Sequence, residues 1–254
     1  MIDVGGYDSR HLINALINPP QSLKILLVGP KRTGKSSTGN TLLGKPQVFD
    51  TRGGGASTAA SAFTAGRHVT VVDSQGWGSS EEFVPKLEKI EQLRALSLCG
   101  IEGPHIVLLV IPLLDFTEQE RKAVERRMEV YGSAVWRHTM VAFTFGDCLK
   151  RRACSVQEHI ASGGPALQWL MEKCRYRYHV LDNKTALENK QVGEMLSKIE
   201  DMLDENGGWP FSLHMYQRME EEWIRREQEL RAWLKADVGN ERGNLIKGTF
   251  LELT

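Results

Sequence analysis

The sequence predicts a doubly wound α/β domain with a mostly parallel sheet, followed by a helical extension. Two observations carry this. Apolar runs alternate with segments of helical periodicity from Leu23 to about residue 205, the order that builds a parallel sheet covered on both faces. A phosphate-loop pattern, G-x-x-x-x-G-K-[ST] at Gly29, Gly34, Lys35 and Ser36, falls where the first apolar run ends and the first helix begins.

Residues 1–21, with "VGG" near the start and "NPP" at Asn18–Pro20, read as an arm that stops at proline before the first strand. A strand follows over about 23–28, then the phosphate loop, then a helix from Lys35 to near Gly44. "DTRGGGASTAAS" (50–61) is small, polar and glycine-rich and reads as a mobile loop. "HVTVVD" (68–73) is a strand ending in an acid, residues 81–98 are helical, and Ile106–Ile111 is a fully apolar strand of the buried parallel kind. Thr117 with glutamates at 118 and 120 opens a helix that stops at Gly132. Strands at 138–144 and 176–183 and helices at 165–174 and about 188–205 complete the alternation. After "ENGGWP" (205–210) the composition changes, and Met215, Met219, Trp223, Leu230 and Leu234 share one helical face. The expected division is an arm (1–21), an α/β domain (22–206) and a helical extension (207–254).

The bulk numbers exclude several classes. Lys plus Arg and Asp plus Glu both count 32, so the formal net charge is zero and nothing points to nucleic acid or an anionic membrane surface. Four cysteines lack zinc-type pairing and read as free thiols of a reducing compartment. No secretory signal and no run near the about 20 apolar residues of a spanning helix is present, which leads to the expectation of a cytoplasmic chain without a transmembrane anchor. His105, His138 and His179 flank apolar strands and read as core or edge histidines, with no metal-ligand spacing to the cysteines.

In a phosphate loop, glycines let backbone N–H groups turn toward phosphate oxygens, the lysine reaches the β and γ phosphates, and the hydroxyl binds magnesium. Gly29, Lys31, Thr33, Gly34, Lys35, Ser36 and Ser37 are thus candidate nucleotide contacts, with Ser36 also a metal ligand. "DSQG" (73–76) closes an apolar strand: Asp73 can hold a magnesium-bound water and the Gly76 N–H can approach a γ-phosphate. "TFGD" (144–147) closes another. There Asp147 can accept from guanine N1–H and the exocyclic amine, a donor pair adenine lacks, so the nucleotide reads as GTP or GDP with Mg2+. The more usual guanine motif is N-K-x-D; Thr144 and Phe145 replace its first two residues, and Phe145 can offer an apolar face to the base. Asn183, in "HVLDNK", can orient the base from the other side.

"GPKRTGKSSTGNTLLGK", "VVDSQGW", "GPHIVLLVIPLLDFTEQE", "RHTMVAFTFGD" and "RYHVLDNK", in this order and spacing, resemble the immunity-associated GTPases, the IMAP family with its AIG-type G domain. The resemblance spans about Leu23 to Leu203, and Gly103–Glu120 matches the family's extra box. It implies a Ras-like P-loop G domain that binds GTP or GDP with magnesium. It also implies GTP-favoured assembly of a homodimer or oligomer through the G domain, a possible heterologous family partner, and helices after the domain that can fold back on it. By position it makes Thr58 the switch threonine that binds metal and γ-phosphate, with Ser57 a rival.

Two departures bear on hydrolysis. Trp77 stands where Ras-like proteins often place a catalytic glutamine, and Asp115 stands where some relatives supply an arginine from the box, so no catalytic residue is assigned. Slow intrinsic turnover follows unless a partner or Arg121 supplies the positive charge. A nucleotide-holding scaffold without hydrolysis and a P-loop ATPase or nucleotide kinase stay open as alternatives.

Overall fold

The computed structural model describes residues 22–78, 83–147, 155–183 and 189–251. The expected N-terminal arm, Cys148, Cys154 and Lys184 lie outside them. In chain order the elements are β1 (Leu23–Val28), α1 (Lys35–Leu42), β2 (Thr58–Thr64), β3 (Arg67–Asp73), α2 (Lys86–Ser97), β4 (Ile106–Pro112), α3 (Glu118–Met128), β5 (Thr139–Thr144), α4 (Val156–Ser162), α5 (Gly164–Lys173), β6 (Tyr178–Val180), α6 (Asn189–Glu205) and α7 (Leu213–Leu251). The chain divides into two compact units, one through Ser212 and one from Leu213.

The first unit holds a six-stranded sheet in the order β2-β3-β1-β4-β5-β6. It is parallel except for β2, which runs antiparallel to β3. β1 and β4 are apolar along almost their whole length because both faces of the sheet are covered, and their residues are nearly all buried. From β1 the chain moves outward to β3 on one side and then returns to β4 on the other. The crevice at the carboxyl end of β1 is therefore the switch point where open α/β sheets bind ligands.

The loop expected over 50–61 needs correction, because its last four residues belong to β2. The three alanines of β2 add little strand propensity, yet it is an edge strand held by its backbone ladder from Thr58–Asp73 to Thr64–Arg67. The hairpin turn is Ala65–Gly66, with φ of 46° and 81°, the left-handed pair that a two-residue turn demands. An alanine in the first of these positions hides the turn from sequence reading. The helix α4 has no counterpart in the sequence reading; Ser155 and Glu158 start it with a reciprocal capping box, as Thr117 and Glu120 start α3.

Cys99 and Cys174 are buried free thiols, and burial pushes both up to about 12. The three strand-flanking histidines are buried, with exposures of 5%, 1% and 6% for His105, His138 and His179. His105 Nδ1 accepts from the Lys24 backbone N–H at 3.0 Å, while the His105 backbone N–H donates to the Lys24 carbonyl at 2.9 Å, so neutral His105 laces the start of β4 to β1. Burial pulls all three down to about 4. An unfolded histidine titrates near about 6.5, so the unfolded chain takes up protons first as pH falls. Stability should be complete above about pH 6.5 and be lost progressively toward pH 4, by several kcal/mol in order of magnitude. Thermal unfolding at a series of pH values checks this; a midpoint flat from pH 7 to 4 would contradict it.

The second unit is the single long helix α7. It is laced by exposed three- and four-residue ion pairs, Arg225 with Glu222 and Glu229 and Arg231 with Glu227. Met219, Trp223, Ile224, Leu230 and Trp233 are exposed along it. Among the described residues no helix is long and apolar enough to cross a membrane.

Candidate functional site

The phosphate loop leaves β1 at Gly29, whose φ is 148° and where a Cβ would lie 2.5 Å from the Val110 carbonyl oxygen; only glycine fits there. Gly34, with φ of 91°, turns the chain into α1. The loop is braced from behind. The Thr33 hydroxyl donates to the Pro30 carbonyl at 3.0 Å, and the Thr144 hydroxyl at the end of β5 donates to the Thr33 carbonyl at 2.7 Å. Unlike α3 and α4, α1 has no side-chain cap and no acid in its first turn, so its leading N–H groups and positive dipole end remain available to an anion.

Lys35 Nζ donates to the Pro30 carbonyl at 2.7 Å. Burial pulls its pKa down to about 8, with Asp73 acting against the shift and Lys31 adding to it. Burial raises the Asp73 carboxyl, while the Ser36 hydrogen bond and Lys35 oppose that. The two side chains attract each other, yet each is driven toward its neutral form, because desolvation outweighs a single opposite charge. Asp73 Oδ2 accepts from the Ser36 hydroxyl at 2.6 Å, and Oδ1 is buried with no partner among the described residues. That orphaned oxygen beside a hydroxyl suits magnesium, a hard cation bound through one or two carboxylates while keeping water and phosphate oxygens. Thr58 lies directly across the β2–β3 ladder from Asp73, on the same face of the sheet.

A cavity of ≈ 650 Å³ brings together Lys31, Gly34, Lys35, Ser36, Ser37, Thr58, Asp73 and Gly76. Gly76 abuts the lysine: a Cβ there would sit 2.6 Å from Lys35 Nζ and 2.9 Å from the Lys31 backbone. A second cavity of ≈ 840 Å³, lined by α1, residues 44–52 and Asn183, shares Ser37 and residues 48–52 with the first. Gly29, Thr33 and Thr144 shape the loop from behind rather than lining either cavity.

Thr144, in place of the usual asparagine, thus still tethers the phosphate loop. Phe145 is exposed with φ of 60°, and Gly146 donates to the Leu181 carbonyl at 3.2 Å, pressed so close to Val180 that a Cβ would lie 2.9 Å from its methyl group. Asp147 follows, half-buried. Asn183 is held by α1: its Oδ1 accepts from the Thr41 hydroxyl at 3.0 Å and its Nδ2 donates to Thr38 Oγ1 at 3.2 Å. One proton and one lone pair of its amide are left over.

Arg32 and Arg52, which the sequence reading does not single out, line the first cavity, and Arg52 grips Asp50 at 3.0 and 3.1 Å within the glycine-rich loop. The "DTR" beside three glycines is the signal that marks Arg52. Trp77 is buried, its carbonyl accepts from the Lys31 N–H at 2.8 Å, and it lines neither cavity. Arg121 is engaged by Glu118 and Glu125 at 2.8 and 2.7 Å, with its guanidinium 4.9 Å from the Trp169 ring centre, and lines neither cavity.

Known proteins resemble this chain in sequence and in fold. "Immune-associated nucleotide-binding protein 9" of Arabidopsis thaliana is 31% identical over 226 residues, covering 84% of this chain and 64% of that protein. "GTPase IMAP family member 8" of Homo sapiens is 31% identical over 198 residues, covering 73% and 28%. The chain spans less than two thirds of the length of either. Toc33 from Arabidopsis thaliana, solved with Mg2+ and GMPPNP, superposes with a TM-score of 0.53 at 15% identity, over 76% of this chain and 90% of that one. A second structure of the chloroplast translocon components atToc33 and psToc159 gives 0.53 at 19% identity, over 76% and 87%. The shared fold is the Ras-like G domain. The sequence profile of the AIG1 family matches residues 23–230, and the chain belongs to that family.

Proposed function

We propose that this chain is a guanine-nucleotide switch. It binds GTP or GDP with Mg2+, hydrolyses GTP slowly on its own, and self-associates through its G domain in the GTP state. The observation that carries this is the corner where an uncapped helix N-terminus, a desolvated lysine and an orphaned carboxylate oxygen meet. A magnesium–phosphate group would supply partners to the helix N–H groups and to the Asp73 oxygen, and a counter-charge to Lys35, whose one hydrogen bond is to the Pro30 carbonyl. The names of relatives support the reading, being those of a nucleotide-binding protein and a GTPase. So do the chloroplast translocon components atToc33 and psToc159, for whose GTPase activity dimerisation is important.

In this reading the N–H groups from Arg32 to Ser37 hold the phosphates with the Lys31 side chain beside them, and Lys35 exchanges the Pro30 carbonyl for β and γ oxygens. Ser36, Asp73 and Thr58 hold magnesium, which neutralises charge on the phosphates when bound. Gly76 senses the γ-phosphate. Thr144 fixes the loop, Phe145 covers the base, Asp147 reads its donors and Asn183 steadies the base-side loop. Residues 1–21 are an arm and 207–254 an extension to the domain at 22–206. The cell compartment proposed is the cytoplasm, and a second copy or a heterologous relative is the proposed partner.

Trp77 and the engaged Arg121 favour a second reading, a scaffold that holds nucleotide without turnover. Single-turnover GTP hydrolysis, measured with light scattering for mass over a range of protein concentrations, separates them. The switch predicts at most about 10⁻² s⁻¹ for dilute monomer, with a rise when the GTP-bound form grows in mass. No turnover at any concentration supports the scaffold, and brisk turnover by dilute monomer contradicts both.

A further inference from the structure

The loop that walls both cavities is anchored at each end. At its start Phe49 is buried against Gly39, where a Cβ would lie 2.7 Å from the ring, and the Asn40 side chain bonds the Phe49 N–H and carbonyl at 2.8 and 3.0 Å. At its end Ser57 is buried, with every polar group engaged. Its N–H donates to Glu91 Oε1 at 2.7 Å, its carbonyl accepts from Arg94 Nη2 at 2.7 Å, and its hydroxyl accepts from the Gln75 N–H at 3.0 Å. Glu91 and Arg94 lie one turn apart on α2 and pair at 2.9 Å. Between the anchors residues 50–56 are exposed, and a Cβ on Gly53, Gly54 or Gly55 would meet nothing within 4 Å.

We propose that Ser57, Glu91 and Arg94 form a positioning clamp for GTP, holding Thr58 opposite Asp73 before nucleotide arrives and joining the loop, the Gln75 segment and α2 into one unit. The proposal rests on the guanine-nucleotide reading above. Ordering a free loop residue has an entropic cost. The clamp has already met it at Ser57 and Thr58, so a γ-phosphate need order only the exposed stretch before them. A diphosphate makes no demand on Thr58 and gains nothing from the clamp. The Arg94 hydrogen bond, with help from Ser57, holds the Glu91 carboxyl down to about 2, so the clamp stays charged across the physiological range. A plain brace between β2 and α2 would instead support every nucleotide state alike.

The test measures binding of GDP and of a non-hydrolysable GTP analogue, both with Mg2+, to the wild-type chain and to Arg94→Ala, Glu91→Gln and Arg94→Lys. Hydrogen exchange over residues 50–60 is followed in the nucleotide-free state. Arg94→Ala and Glu91→Gln should weaken the GTP analogue about 5- to 10-fold, leave GDP within about twofold, and speed exchange in the loop. Arg94→Lys should fall between, because an ammonium is a point donor where the guanidinium spans both Glu91 and Ser57. If the wild type binds guanine nucleotides and the variants shift GTP and GDP equally, or neither, the clamp is overturned alone. If the wild type binds neither, the nucleotide reading falls and the clamp with it.

Discussion

Lys35→Ala is expected to abolish measurable binding of GTP and GDP while the protein stays folded. Without nucleotide the ammonium sits where its charge is disfavoured, bonded to one carbonyl, so its removal relieves a desolvated cation as well as losing a contact. With nucleotide it is the buried counter-charge to the phosphates. Removing one partner of such a pair costs about 3–5 kcal/mol, roughly two to three and a half decades in Kd. A pH signature accompanies this. Free Lys35 titrates at about 8, and bound phosphate would raise that value, so nucleotide binding should take up a proton near pH 8 and weaken as pH rises further. Calorimetry in two buffers of different ionisation enthalpy reads the proton directly. A buffer-independent enthalpy, together with unchanged affinity in Lys35→Ala, would place the phosphates elsewhere.

Asp147→Asn should cut guanine-nucleotide affinity by about 100-fold and leave ATP within about threefold of its wild-type value. The carboxylate is an acceptor on both oxygens, matching two adjacent donors on guanine; the amide turns an N–H donor toward one of them. Competition of GTP, GDP and ATP against one fluorescent nucleotide checks this. Equal losses for guanine and adenine would mean that Asp147 supports the loop without reading the base.

Much of the site is legible because its chemistry is local in sequence. Gly29, Gly34, Lys35 and Ser36 fall within eight consecutive residues, and Asp73 and Asp147 each close an apolar strand, so the sheet topology alone carries them to the same edge. What escapes is long-range or written in bland residues. β2 opens on Thr58–Ala62, mostly small residues whose strand state is imposed by pairing with β3. The grip of Glu91 and Arg94 on Ser57 spans 34 and 37 residues and joins a glycine-rich loop to a helix that shows only a helical pattern in the sequence. Spacing leaves open the choice of Thr58 over Ser57 as candidate metal ligand. The structure separates them physically: the Ser57 hydroxyl is buried and bonded to Gln75, while Thr58 lines the cavity across from Asp73. Asn183 reads as a base contact in the sequence; half of its amide's capacity is taken by Thr38 and Thr41, a link between the end of β6 and α1 that no local pattern announces.

The most direct test is equilibrium titration of the wild-type chain with fluorescent GDP, GTP and ATP analogues, with and without magnesium. Guanine nucleotides should bind about 100-fold or more tightly than ATP, as a bidentate charge-assisted pair to the base allows. Removing magnesium should weaken GTP, because Asp73 and Ser36 then face the phosphates without the cation between them. ATP binding as tight as GTP, or no binding of any of the three, would contradict the guanine-nucleotide reading.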